Sequence, residues 1–189
     1  YDLKPREGAF YGPKIDIHIV DVLGRDWQLA TIQLDFVMLP ERFELEYIDV
    51  DGTRKRPVAV HRAIFGSFER FIGILTEHYA GAFPTWLAPV QSAILPLTDA
   101  HLAYGSQVLE HLKVNGVRAD LDARNEKIGY KIRDWETKKV PYMLIVGEKE
   151  RSNGMVSVRQ HKKGDLGSMM TEEFIERIKK EIEEKLITA

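Results

Sequence analysis

The chain has 189 residues, enough for one medium domain or two small ones, each with its own core. Hydrophobic residues make up 44% and charged residues 30%, an ordinary globular composition, and no run of about 18 apolar residues exists to span a membrane. There is no cysteine, which excludes disulfides and thiolate metal sites within the chain and fits a cytosolic protein.

Residues 15–20 alternate apolar and polar, the period of a half-buried strand. A turn at Gly24 follows, then a second strand over 27–36 and a third over 43–49. Asp51-Gly52 signals a hairpin, and 57–60 begins its return strand. Phe68, Phe71, Ile72 and Leu75 then recur at helical spacing over 67–79, with Gly81 as a stop. Two prolines within 83–89 exclude a helix there and predict an extended linker. Beyond it the rhythm changes: strand 90–97, helix 101–114, strand 117–121, helix 127–138, strand 141–146, a hairpin partner at 155–159 and a helix over 171–186. Strands alternating with helices predict an α/β domain with a mainly parallel sheet. The last helix should start on Thr171 as N-cap, with Phe174, Ile175, Ile178, Ile182 and Leu186 as its buried stripe.

Four places could carry chemistry. Gly12-Pro13 bends the chain and leaves Lys14 just before a strand, either to meet an anion or simply to close a turn. Gln28, Thr31 and Gln33 stand on an otherwise apolar strand, where buried polar groups need partners from loops or from a ligand. Simple alternation places Gln28 on one face, and Thr31 and Gln33 on the other. Ser67 opens a helix with Arg70 on its first turn, an arrangement that suits phosphate. Just ahead of it, His61 is either a metal ligand or a satisfied core histidine. Finally, the stretch from Lys113 to Lys163 holds 13 Lys/Arg against 7 Asp/Glu between acid-rich flanks, either a polyanion footprint or a mixed solvated surface. The first residues carry no signal-peptide pattern, and a start at Tyr1 without Met is what a piece of a longer polypeptide would show.

Taken in order, these blocks resemble one family. Gly8-Ala9-Phe10-Tyr11-Gly12-Pro13-Lys14, then Trp27-Gln28 with Thr31-Ile32-Gln33-Leu34-Asp35-Phe36, Leu39-Pro40-Glu41-Arg42, and His61-Arg62-Ala63-Ile64 with Gly66-Ser67-Phe68-Glu69-Arg70-Phe71 resemble the threonyl-tRNA synthetase core. The last of them resembles motif 3 of class II synthetases. Phe83-Pro84-Thr85-Trp86-Leu87-Ala88-Pro89, Asn125-Glu126-Lys127-Ile128-Gly129-Tyr130-Lys131, Val140-Pro141-Tyr142 and Gly147-Glu148-Lys149-Glu150 extend the resemblance over essentially the whole chain. Two places depart from the family: Leu29-Ala30 stands where Cys-Gly is common, and three residues rather than two separate Phe36 from Pro40.

The resemblance implies the C-terminal part of an antiparallel-sheet catalytic domain over residues 1–84, followed by an anticodon-binding domain over 85–189. It implies a threonine–tRNA ligase that activates threonine with ATP and Mg2+ and loads the 3′ end of its tRNA, in the cytoplasm and as a homodimer. Tyr11 then matches a residue at the substrate amino group and Lys14 a neighbour of it. Gln28, Thr31 and Ser67 fall at the ATP site, and Gln33 faces substrate and the tRNA end. Arg70 matches the motif 3 arginine over adenine and the terminal phosphate. His61 matches one of three ligands of a threonine-selecting Zn2+, the others being expected upstream, so the chain alone is expected to be inactive. Anticodon reading falls to Asn125, Lys139, Glu150 and Arg159, whose types suit polar base edges and phosphate; a Glu150–Arg159 ion pair across a hairpin at Asn153-Gly154 is the structural alternative. A non-catalytic RNA-binding module is the alternative from another class, and histidyl-, prolyl- and glycyl-tRNA synthetases are the alternatives from the same class.

Overall fold

Alternating isoleucines and polar residues form β1 (Lys14–Val20), which the turn at Gly24 (φ +78°) folds back onto β2 (Asp26–Asp35). In this computed structural model, which describes residues 1–187, the chain divides into two units at His78/Tyr79. The first unit continues with α1 (Met38–Arg42), the short hairpin β3 (Tyr47–Ile48) and β4 (Arg54–Lys55), β5 (Ala59–Ala63) and α2 (Phe68–His78). Its main sheet is antiparallel in the order β1-β2-β5, and β3 pairs with β4 about Gly52 (φ +75°).

Three details differ from the sequence expectation. The third strand predicted over 43–49 is only the pair Tyr47–Ile48, because the segment before it turns as α1. Residues 37–39, the three expected as one more than the family has before Pro40, lie beyond the end of β2 and lead into α1, so β2 is not interrupted by them. And β2 carries a bulge: Ala30 pairs with Ile17 but Gln28 pairs with His18, leaving Leu29 without a partner on β1. A bulge resets alternation. Gln28 therefore joins the face of Thr31 and Gln33, against the simple period-two reading, while Leu29 is buried.

The second unit runs β6 (Ser92–Pro96), α3 (Leu102–Val114), β7 (Ala119–Leu121), α4 (Ile128–Thr137), β8 (Tyr142–Val146), α5 (Glu148–Asn153), β9 (Met155–Gln160), β10 (Gly164–Met170) and α6 (Thr171–Glu183). The sheet order is β10-β9-β8-β6-β7. β6 runs parallel to both β7 and β8, while β9 and β10 continue antiparallel at one edge. β6 is buried along its whole length because helices cover both faces, as parallel strands require. One face packs Ile94, Leu144, Val156 and Val158 on Leu112 of α3 and Phe174 and Ile178 of α6; the other packs Ala93, Leu95 and Met143 on Trp135 of α4.

The proline segment is not an extended linker. Pro84 accepts the N–H groups of Leu87 and Ala88, closing a turn that is largely buried. Arg118 pins it by donating to the carbonyls of Trp86 (2.9 Å) and Ala88 (2.9 and 3.0 Å). Asn153-Gly154 is likewise not a hairpin but the end of α5, with Gly154 left-handed (φ +67°). Thr171 is the first helical residue of α6 rather than its cap, and its hydroxyl donates to the Gly154 carbonyl (3.1 Å).

Candidate functional site

The antiparallel register gathers the polar residues of the first unit on one face. Gln33 of β2 pairs with Lys14 of β1 on one side and His61 of β5 on the other, so the three form a row across the sheet. Residues paired this way project from the same face. One step along, Asp16 and Thr31 are opposite each other. Tyr11 closes the row from the loop before β1: its hydroxyl donates to Gln33 Oε1 (2.5 Å) and its ring lies 5.6 Å from the His61 ring. Gly12 lets the loop approach that closely. A side chain there would place Cβ 2.0 Å from the Leu34 carbonyl oxygen, so only glycine fits.

Asp16 organises the row's charge. It pairs with Lys14 Nζ (2.6 Å) and accepts from Gln28 Nε2 (2.7 Å), which reaches it because of the bulge. The Lys14 hydrogen bond holds Asp16 below the usual carboxylate range, and the same bond raises Lys14. Sequence reading passed over Asp16, although it alternates with Lys14 on one strand face.

At the other end of β2, Asp35 is fully buried and its Oδ2 lies 2.9 Å from His61 Nε2. Burial pushes this carboxyl up, but the hydrogen bonds from His61 and from the N–H groups of Leu39, Val37 and Met38 outweigh it and hold the group below its ordinary value. Ser67 caps α2 by accepting the Arg70 N–H (3.3 Å). The exposed Arg70 guanidinium donates to the Gln28 carbonyl (3.3 Å) and lies 6.0 Å from the Trp27 ring centroid, at the Gln28 end of the polar face. Among the described residues it makes no carboxylate ion pair, so its charge is available.

In the second unit the four candidates do not form one cluster. Asn125 is exposed in the loop after β7, and Glu150 sits on α5 after β8, both beyond the carboxyl ends of parallel strands. Arg159 stands on β9 between Met143 and Asp165, on the α4 side of the sheet, and its buried Nε has no hydrogen-bond partner among the described residues. Lys139 precedes β8, at the opposite end from Glu150, with left-handed backbone (φ +58°) and its ammonium on the Ala80 carbonyl. Glu150 spends one oxygen on the Gly147 N–H (3.1 Å), and no ion pair joins it to Arg159 among the described residues. The Asn125 loop is anchored at its root. Buried Asp122 takes Arg124 Nε (2.9 Å), Arg124 Nη2 (2.6 Å) and Trp135 Nε1 (2.8 Å), while buried Lys131 donates to the carbonyls of Asp122 and Pro96 (both 3.1 Å).

The two units match two family models in the same order. Residues 2–79 match the tRNA synthetase class II core domain (G, H, P, S and T), and residues 91–181 match the anticodon binding domain. The chain is 59% identical to a threonine–tRNA ligase of Clostridium acetobutylicum over 98% of its own length. It is likewise 59% identical to one of Caldanaerobacter subterraneus subsp. tengcongensis over 99%. The chain belongs to the threonyl-tRNA synthetase family. It spans 29% of the length of these relatives. A solved structure, the RNA binding domain of threonyl-tRNA synthetase from Cryptosporidium parvum Iowa II, superposes with a TM-score of 0.81 at 37% identity, covering 92% of this chain and 44% of that one. Class II synthetases of this kind use ATP and Mg2+. No helix among the described residues is long and apolar enough to cross a membrane.

Proposed function

We propose that this protein serves as a threonine–tRNA ligase, activating threonine with ATP and passing it to the 3′ end of threonine tRNA. Residues 1–84 supply the motif 3 end of the catalytic domain, and residues 85–189 supply the anticodon-binding domain. The observation that carries the reading is the Lys14–Gln33–His61 row closed by Tyr11, in a chain related along nearly its whole length to threonine–tRNA ligases.

Each side chain has a task its placement suits. Tyr11 and Gln33, already bonded to each other, offer a hydroxyl and an amide to a small polar substrate. Lys14, held by Asp16, places a cation beside them. Gln28, Thr31 and Ser67 line the approach to Arg70, whose guanidinium, without a carboxylate partner among the described residues, sits where a nucleotide's phosphates can meet it. There it stabilises the charge that develops as pyrophosphate leaves. His61 fits a zinc ligand: Nε2 is engaged by Asp35, so Nδ1 is the nitrogen left to bind metal. Among the described residues no three metal-binding side chains converge, so this chain would furnish one ligand and the remainder of the protein the others. Zinc bound there would coordinate the amino and hydroxyl groups of threonine, a polar readout that valine cannot satisfy. On the opposite face of β1, Ile15 and Ile17 are at least half exposed, an apolar surface suited to cover by the rest of the catalytic domain. Asn125, Glu150 and Arg159 read anticodon bases, and Lys139 holds phosphate. We place the enzyme in the cytoplasm as a homodimer.

The test is pyrophosphate exchange by the intact enzyme. Exchange should require threonine, and Arg70→Ala should lower its rate by roughly 100-fold or more. Exchange without threonine, or an unaffected Arg70→Ala, would overturn the assignment.

A further inference from the structure

Asp35 is a fully buried carboxylate at the end of β2, and both of its oxygens are committed. Oδ1 accepts the backbone N–H groups of Val37 (3.0 Å) and Met38 (2.7 Å). Oδ2 accepts the N–H of Leu39 (3.1 Å) and faces His61 Nε2 at 2.9 Å. Three of these partners can only donate, and an ionised carboxylate can only accept. The fourth must donate too, so the ring proton of neutral His61 sits on Nε2 and the lone pair on Nδ1. No hydrogen bond to Nδ1 occurs among the described residues. Capping α1 alone would not need this residue, since a single side-chain oxygen from Ser, Thr or Asn serves that purpose. The second oxygen, turned on the imidazole, is what an aspartate adds.

We infer that Asp35 is a positioning residue for the metal: it fixes the His61 tautomer and aims Nδ1 as the zinc donor. The inference rests on the reading of His61 as a zinc ligand. Ligating histidines generally donate their second ring N–H to a carboxylate or carbonyl, and loss of that outer partner weakens metal binding by about 10- to 100-fold. Asp35→Asn isolates the effect. With its oxygen kept at the Oδ1 position, the variant retains the Val37 and Met38 caps and turns an NH2 group on Nε2. Nε2 then has to accept, the proton moves to Nδ1, and the metal-binding lone pair is lost. This orientation gives up the Leu39 cap, where NH2 now meets N–H; the reversed amide would keep the Leu39 and His61 bonds but forfeit both the Val37 and Met38 caps, so it is the worse arrangement.

Zinc affinity and stoichiometry of the intact enzyme, stripped of metal and titrated against a competing chelator, compare wild type, Asp35→Asn and His61→Ala. Asp35→Asn should bind zinc about 10- to 100-fold more weakly, and its metal-free form should still fold, melting below wild type because the Leu39 cap is lost. Wild-type affinity in Asp35→Asn with zinc lost in His61→Ala overturns the role of Asp35. Full zinc retained in His61→Ala instead overturns the ligand assignment beneath it. Should Asp35→Asn not fold, the ring 15N shifts of His61 in metal-free wild type, assigned by their absence in His61→Ala and read above the histidine pKa, decide the matter. An Nε2–H tautomer supports the inference, and an Nδ1–H tautomer refutes it.

Discussion

The root of the Asn125 loop offers a stability test with a built-in pH signature. Asp122 is buried and held at about 2, first by the Arg124 hydrogen bonds and then by Trp135 Nε1 and the Arg124 N–H, against an ordinary 3.8. At about 1.36 kcal/mol per pH unit, that gap contributes about 2 kcal/mol to folding. The figure is an upper one, because the Arg124 side chain is 44% exposed and water screens its charge. The carboxylate binds its proton more weakly in the folded state. Its contribution is therefore complete above pH 5, falls as the pH drops through 4 towards 2, and is about half its neutral value near pH 3. Asp122→Asn removes the charge and keeps an acceptor of the same shape. In urea unfolding followed by far-UV circular dichroism, wild type should exceed the variant by about 2 kcal/mol at pH 7, and that margin should shrink by about 1 kcal/mol by pH 3. A margin that stays constant with pH would show that the charge is not what stabilises the loop. A margin below about 0.5 kcal/mol at pH 7 would refute the network outright.

Two further substitutions probe the separate units. Gly12→Ala sets a Cβ 2.0 Å from the Leu34 carbonyl, so the loop must move and break the Tyr11–Gln33 bond; KM for threonine in exchange by the intact enzyme should rise at least 10-fold, and an unchanged KM would remove Tyr11 from the site. Lys139→Ala should weaken cognate and non-cognate tRNA alike and lower the slope of log K against log salt by about 0.7, whereas a selective loss for one anticodon would show that Lys139 reads a base.

The fold was legible wherever one period ruled. The isoleucines of β1, the apolar run of β8 and the helical stripe of α6 each point to one element, and each is found within a few residues of its predicted bounds. What escaped were places where a tertiary contact overrode the local pattern. The bulge at Leu29 reversed the face of Gln28, and no single-strand period could show it, since a bulge is defined by the partner strand. The segment 83–89 has the prolines of a linker, but Arg118, some 30 residues away, collects its carbonyls and packs it. β10 was missed because Gly164, Gly167 and Ser168 dilute its alternation, and it exists as the antiparallel partner of β9. At the candidate site, the residue types at Tyr11, Lys14, Gln33 and His61 were visible, but their convergence was not. Register alone brings positions 14, 33 and 61 into one row. Asp16 and Asp35 were passed over for the same reason: each reads as an ordinary polar strand residue until its partners are known.

The reading of the second unit as an anticodon reader stands or falls on discrimination. Binding of the 189-residue chain to threonine tRNA and to the same tRNA with a replaced anticodon, measured at one stated salt concentration, should favour the cognate form. Glu150→Ala and Arg159→Ala should each weaken cognate binding and flatten the preference by roughly 10-fold or more, the effect of losing a hydrogen bond to a base edge. Equal affinity of wild type for the two tRNAs would contradict the assignment. So would an unchanged preference in both variants accompanied by a lower melting temperature, which would return Glu150 and Arg159 to a structural role.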